Sequence, residues 1–345
     1  MTTLDQIPQT QVTTSIPQDY TKRLMVVGGR ASMELADKIA ARLGVELGQA
    51  DLRTFADGEV YCRYKDSIRG ADVFLVQSTA ANAVAQMTPN DALMELLVMI
   101  DAAKGASAHR IIAVMPWYGY SRQDKKSAPR EPISARVVAQ CLEVVGVDRV
   151  LTMDLHSGQV QGFFSKPVDH MTAMPMLTQY FIDQTMTDDL VIVSPDAGRV
   201  KVARNFARKV GTHWAVMEKE RPAQQVSEIG YVVGDVKGKT AVLVDDMIDT
   251  AGTLTAAAKT VLEEGAARVI ACATHGVFSG PAYERLAYEN SGIERIVVTD
   301  TVPLRPGAPE NITVLSAAQT LADSIRRIFA DDSVSEIFAG ENQLF

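Results

Sequence analysis

Apolar runs of strand length alternate with amphipathic helical stretches along this chain, and they do so in two series. LMVVGG leads to a helical pattern from Ala31 to Leu43, VFLVQS to one from Asp91 to Ala103, and RIIAVM to one from Ile133 to Val145; RVLTMD closes the first series. LVIVSPD then leads to a pattern from Val200 to Val210, HWAVM follows, TAVLVDD leads to one from Leu254 to Glu264, and RVIACATHG and RIVVTD complete the second series. Parallel strands need long crossovers, so strands separated by helices predict parallel sheets with helices on both faces. Glycine and proline interrupt the pattern between Gly162 and Pro175, which places the expected domain boundary there. With 345 residues and 47% hydrophobic content the chain can fill two cores.

A net charge of −8 argues against nonspecific binding to nucleic acid or to an anionic membrane surface. Cys62, Cys141 and Cys272 are far apart in sequence, with no CxxC or Cys/His ligand spacing, so neither a disulfide framework nor a zinc site is indicated and a reducing, cytoplasmic setting is expected. The first twenty residues are polar and lack a basic start followed by an apolar segment, so residues 1–20 read as a flexible tail. No apolar run is long enough to cross a bilayer.

The chemistry concentrates in VLVDDMIDTAGT, Val242 to Thr253. Val242, Leu243 and Val244 suit a strand buried on both faces. Asp245 and Asp246 fall at its carboxyl end, where open α/β sheets bind ligands. Asp249, Thr250, Ala251, Gly252 and Thr253 then supply small residues and hydroxyls whose backbone N–H groups can close around a phosphate, ahead of a helix starting near Leu254. The carboxylates do not favour a phosphate, so their partners are sugar hydroxyls or a metal. The bland alternative is an ordinary strand-turn-helix corner.

Five further segments can carry chemistry. FADGEV, Phe55 to Val60, joins an aromatic to two carboxylates and suits a base with an exocyclic amine, although Asp-Gly alone signals a hairpin turn. The stretch from Tyr118 to Pro132 is too long and charged for a minimal connection; its Arg122, Lys125, Lys126 and Arg130 have no evident partners until phosphates arrive, as in a closing lid. His156 stands just beyond a strand end, where a structural role is the commoner one. Asp196 lies at another strand–helix junction, where a carboxylate can simply cap the helix. Lys219 and Arg221 end a further strand on the expected ligand side.

Together these segments resemble the ribose-phosphate pyrophosphokinase family over nearly the whole chain after residue 20. The resemblance rests on RTFADGEV, GADVFLVQS, LMELLVMIDAAKGASAHRI, GYSRQDKK, REPISARVVA, DLHSGQVQGFF, the Asp196 and Lys219 segments, DDMIDTAGT and SVSEIF. It implies an α/β fold of two type I phosphoribosyltransferase-like domains, each a mostly parallel sheet flanked by helices: 21–168, completed by 326–345, and 169–325. It implies transfer of the diphosphoryl group of ATP to the C1 hydroxyl of ribose 5-phosphate, with Mg²⁺, giving phosphoribosyl pyrophosphate and AMP. Phe55, Asp57, Gly58, Glu59, Arg122, Gln123 and His156 would bind ATP, and His156 and Asp196 would approach the metal. Arg221, Asp245, Asp246, Asp249, Thr250, Ala251, Gly252 and Thr253 would bind ribose 5-phosphate, with Lys219 and Arg221 stabilising the transferring group. The family pattern also implies a homo-oligomer, a hexamer, in which Phe55, Asp57 and Glu59 serve a neighbouring chain's site. Two departures stand out: Arg199 replaces a glycine common in relatives, and Glu220 replaces a basic residue. A phosphoribosyltransferase would need only one such domain and neither FADGEV nor SRQDKK, and a noncatalytic relative would lose catalytic residues that this chain keeps.

Overall fold

The computed structural model describes residues 22–184, 189–220 and 229–338; the expected tail at 1–20 lies outside them. In the first half, β1 (Arg23–Gly28) is followed by α1 (Met33–Leu43), then by a hairpin of β2 (Ala50–Thr54) and β3 (Val60–Tyr64). The series continues with β4 (Ala71–Val76), α2 (Pro89–Gly105), β5 (Arg110–Met115), α3 (Ser134–Val145), β6 (Arg149–Met153) and β7 (Val168–Met171). Except for the hairpin, these strands form one parallel sheet in the order β1-β4-β5-β6-β7. Local chemistry sets the boundaries. Thr88 and Asp91 form a reciprocal capping box ahead of α2, with Pro89 opening the helix, so it begins before the first apolar-periodic residue. Gly146 ends α3 at φ 115°, a conformation costly for any residue with a Cβ.

The second half runs α4 (Met174–Asp183), β8 (Leu190–Ser194), α5 (Val200–Val210), β9 (His213–Glu220), β10 (Ile229–Val233), β11 (Thr240–Ile248), α6 (Gly252–Glu263) and β12 (Arg268–Gly276). It closes with α7 (Ala282–Leu286), α8 (Tyr288–Ser291), β13 (Ile293–Thr299), β14 (Ile312–Leu315) and α9 (Ala318–Ala330). The seven-stranded order is β10-β9-β8-β11-β12-β13-β14, parallel apart from the β9–β10 pair. Two mostly parallel sheets flanked by helices are therefore present, as the alternation required. β7 pairs with β6, so the first sheet extends to Met171, across the expected 168/169 boundary.

One apolar cluster joins the halves. It contains Phe74 and Ile112 of the first sheet, Ile192 and Val242 of the second, and Leu321 and Ile325 of α9. Phe181 of α4 and Phe206 of α5 meet edge-on within it, their ring centres 5.7 Å apart. α9 packs on α1, and just beyond it Asp331 pairs with Arg110 of β5 at 2.7 Å, which ties the C-terminal segment to the first sheet.

Candidate active site

In the second sheet the strand order reverses between β8 and β11, and such a switch point opens a crevice at the carboxyl ends of strands. Pairing of β11 with β8 stops at Leu243, whereas pairing with β12 continues to Ile248. The strand thus runs further than its sequence suggested, and Asp245 and Asp246 lie on a stretch whose β8 side is open. After Ile248 the chain turns through Asp249 and Thr250 to Ala251, which has a left-handed φ of 61°. α6 then starts at Gly252, two residues before the expected Leu254.

Asp246 accepts a 2.7 Å hydrogen bond from His156 Nδ1 and pairs at 2.7 Å with Arg199 Nη2. Burial opposes its charge, but the His156 hydrogen bond and the Arg199 guanidinium prevail and hold its carboxyl down at about 2. Asp245 behaves oppositely. Burial and the adjoining Asp246 carboxylate push it well above the usual range, against the pull of Arg199, whose Nε is 3.5 Å from Asp245 Oδ1. Arg199 also donates to the His156 carbonyl at 3.3 Å. The residue that departed from the family pattern is thus the cation at the centre of the carboxylate pair. Sequence position alone could not reveal this, because its partners are on β11 and beyond β6.

Asp196 accepts backbone N–H bonds from Gly198 at 2.8 Å and Arg199 at 3.1 Å through Oδ1. The capping role is therefore real, and by fixing the turn it also aims Arg199. Behind His156, the buried Asp154 accepts from Thr274 Oγ1 at 2.6 Å and from the Ala173 N–H at 2.8 Å. His275 Nε2 lies 3.0 Å from the Met153 carbonyl, and its Nδ1 is 2.8 Å from Thr301 Oγ1. Thr274 and His275 had as their signal only the polar ATHG ending of an otherwise apolar strand, whereas Asp154 opens the DLHSGQVQGFF segment without a role evident from the sequence.

Between β5 and α3, residues 116–133 form neither helix nor strand. Arg122 is not without a partner, which corrects the expectation for this segment: it pairs with Asp249 across the site. Gln123 accepts from Ser134 Oγ at 2.5 Å. Arg122 and Gln123 also line a cleft of about 690 Å³ together with Trp117, Tyr120, Phe278 and Arg305. Phe55, Asp57, Gly58 and Glu59 are exposed at the β2–β3 tip. The Phe55 N–H bonds the Glu59 carbonyl at 2.8 Å, Gly58 supplies φ 98°, and the Phe55 ring lies 5.8 Å from that of Tyr61. Lys219 is on β9 opposite Gly230, but its side chain and that of Glu220 lie outside the description. Arg221 lies outside the described residues altogether.

Comparison with known proteins decides the family. Residues 24–146 match the N-terminal domain of ribose phosphate pyrophosphokinase, and residues 217–339 match the phosphoribosyl synthetase-associated domain. A ribose-phosphate pyrophosphokinase from Caldanaerobacter subterraneus is 49% identical over 320 residues, 92% of this chain and 99% of that protein. The chain belongs to the ribose-phosphate pyrophosphokinase family. Another member, from Clostridium perfringens, is 48% identical over 93% of this chain and 99% of its own. A solved structure of phosphoribosylpyrophosphate synthetase from Mycobacterium smegmatis superposes with a TM-score of 0.83 at 47% identity, covering 90% of this chain and all of that one. The two-sheet architecture of this pyrophosphokinase is thus shared with a solved member.

Proposed function

We propose that this pyrophosphokinase transfers the diphosphoryl group of ATP to the C1 hydroxyl of ribose 5-phosphate. The C1 oxygen bonds to the β-phosphorus as its hydroxyl proton is released to solvent, the bond from that phosphorus to the α–β bridging oxygen breaks, and AMP leaves with the bridging oxygen. The observation that carries the reading is the Asp245–Asp246 pair followed by the 249–253 turn at a sheet switch point, in a chain of this family. Asp245 is assigned to the ribose hydroxyls; Asp246, already engaged, holds His156 and Arg199 beside them. The turn takes the 5-phosphate on its N–H groups. Lys219 and Arg221 are assigned to the charge that develops on the transferring group; this rests on the family pattern. Such transfers depend on alignment and charge neutralisation rather than on a covalent enzyme intermediate.

The donor set suits a metal that arrives with the nucleotide. Among the described residues no group of three or more His, Cys, Asp or Glu side chains is placed to hold an ion. His156 spends Nδ1 on Asp246, and Asp196 spends Oδ1 on its turn. Each keeps one further donor atom, His156 Nε2 and Asp196 Oδ2, which fits Mg²⁺ retaining waters and substrate oxygens. When bound, Mg²⁺ supplies charge neutralisation on the triphosphate.

The same reading places the adenine clamp, Phe55, Asp57 and Glu59, on a neighbouring copy in a homohexamer, supported by the 45% exposure of Phe55. It divides the chain into two units with the boundary moved from 168/169 to just after Met171, so that β7 stays whole as the edge of the first unit, which 326–345 completes. A cytoplasmic location is supported by the three free cysteines. No helix among the described residues is long and apolar enough to cross a membrane.

Product analysis tests the reading. With ATP, Mg²⁺ and ribose 5-phosphate, AMP and phosphoribosyl pyrophosphate should appear in equal amounts; stimulated release of ADP instead would mean an ordinary kinase reaction. The 116–133 segment supplies a second test by hydrogen exchange. Because Arg122 and Gln123 are already anchored, added ATP should protect mainly the stretch around Lys125 to Arg130. Unchanged exchange there would make it a fixed surface loop.

A further inference from the structure

Arg285 lies on α7, outside every motif discussed above. Its Nη1 donates to the Thr250 carbonyl at 3.0 Å, and a Cβ on Gly252 would come within 3.1 Å of the same nitrogen. Among the described residues this exposed cation has no carboxylate partner. It is held instead by the backbone of the turn between β11 and α6.

The peptide joining Thr250 to Ala251 is trans, so its C=O and N–H point in opposite directions. Fixing the carbonyl on one side therefore fixes the Ala251 N–H on the other. A charged donor on the carbonyl also polarises the peptide and strengthens that N–H as a donor. The orientation needs such support. Ala251 has a φ of 61°, a left-handed conformation unfavourable for a residue with a Cβ, so the turn is not the conformation this residue would choose. Gly252, lacking a side chain, leaves the room that the guanidinium occupies.

We propose that Arg285 is a positioning residue for ribose 5-phosphate, acting through the Thr250–Ala251 peptide to aim the Ala251 N–H at the sugar phosphate. The proposal rests on the reading in which the 249–253 turn takes the 5-phosphate. Without the guanidinium the peptide is free to rotate and the anion loses one aligned donor, while the ATP side keeps all its contacts.

The test is calorimetric binding of ribose 5-phosphate and, separately, of MgATP to the full-length wild type, Arg285→Gln and Arg285→Lys, with steady-state kinetics alongside. Arg285→Gln should weaken ribose 5-phosphate binding by about tenfold or more and raise its KM in parallel, the size expected for losing a charge-assisted bond. Its kcat at saturating sugar and its MgATP affinity should stay within about twofold of wild type. Arg285→Lys, which retains a cationic donor, should recover part of the loss. Unchanged ribose 5-phosphate affinity in Arg285→Gln overturns the proposal. So does a parallel loss of MgATP affinity, which would mean general disruption, or a fall in kcat with KM unmoved. If the wild type itself fails to bind ribose 5-phosphate, the functional reading fails first, and the role of Arg285 with it.

Discussion

Asp246→Ala should lower turnover by about 10²- to 10³-fold, the range for removing one preorganised polar group from a site of this kind. The side chain does two things at once. It holds His156 through Nδ1 at 2.7 Å, and it balances Arg199 at the same distance. Its loss frees the imidazole to rotate and leaves a largely buried guanidinium facing Asp245 alone. Asp246→Asn keeps the shape and one acceptor, so it should retain more activity than the alanine variant. Steady-state kinetics with a thermal melt on each variant checks this, and an alanine variant within about threefold of wild type would remove Asp246 from the machinery. The pH profile gives an independent check. Because the folded-state carboxyl is held down at about 2, below its unfolded range, Asp246 favours folding at any pH above that range and loses this contribution only as pH falls toward 2. An activity limb near neutrality therefore belongs to another group.

Lys219→Ala should reduce turnover by about 10²-fold or more while leaving ribose 5-phosphate binding nearly intact, since a fixed positive charge facing a transferring phosphoryl group stabilises the transition state by about 3 kcal/mol. The Lys219 backbone lies in the β9–β10 ladder, in register with Gly230. Single-turnover kinetics separates the outcomes. A variant that binds sugar poorly but turns over normally at saturation would make Lys219 a ground-state contact.

Much of this was legible in the sequence because it is local. Strand and helix periods repeat over short windows, and the DDMIDTAGT order fixes a turn by its own residue types. Hidden features were those whose partners are distant in the chain. Arg122 and Asp249 are 127 positions apart, so the basic residues of the 116–133 segment have no partner visible in the sequence although one of them is in an ion pair. Arg199 looked like a mere departure from a glycine pattern, because only folding brings β11 and the loop after β6 to it. Short edge strands such as β7 and β14 were not singled out, as four residues carry too little alternation to separate them from loops. The hairpin is the opposite case: the Asp-Gly signal was correct as a turn, and the same residues remain candidates for binding.

The shared cluster of Phe74, Ile112, Ile192, Val242 and Leu321 has a consequence for how substrates are admitted. Swinging the two sheets apart would bring these side chains into contact with water, at roughly 25 cal/mol for each Å² uncovered. Entry is therefore expected through the segment around Arg122, whose side chain crosses the site as an ion pair with Asp249. Admission on that basis belongs to the microsecond-to-millisecond range of loop motion, and its rate should rise with salt as the Arg122–Asp249 attraction is screened.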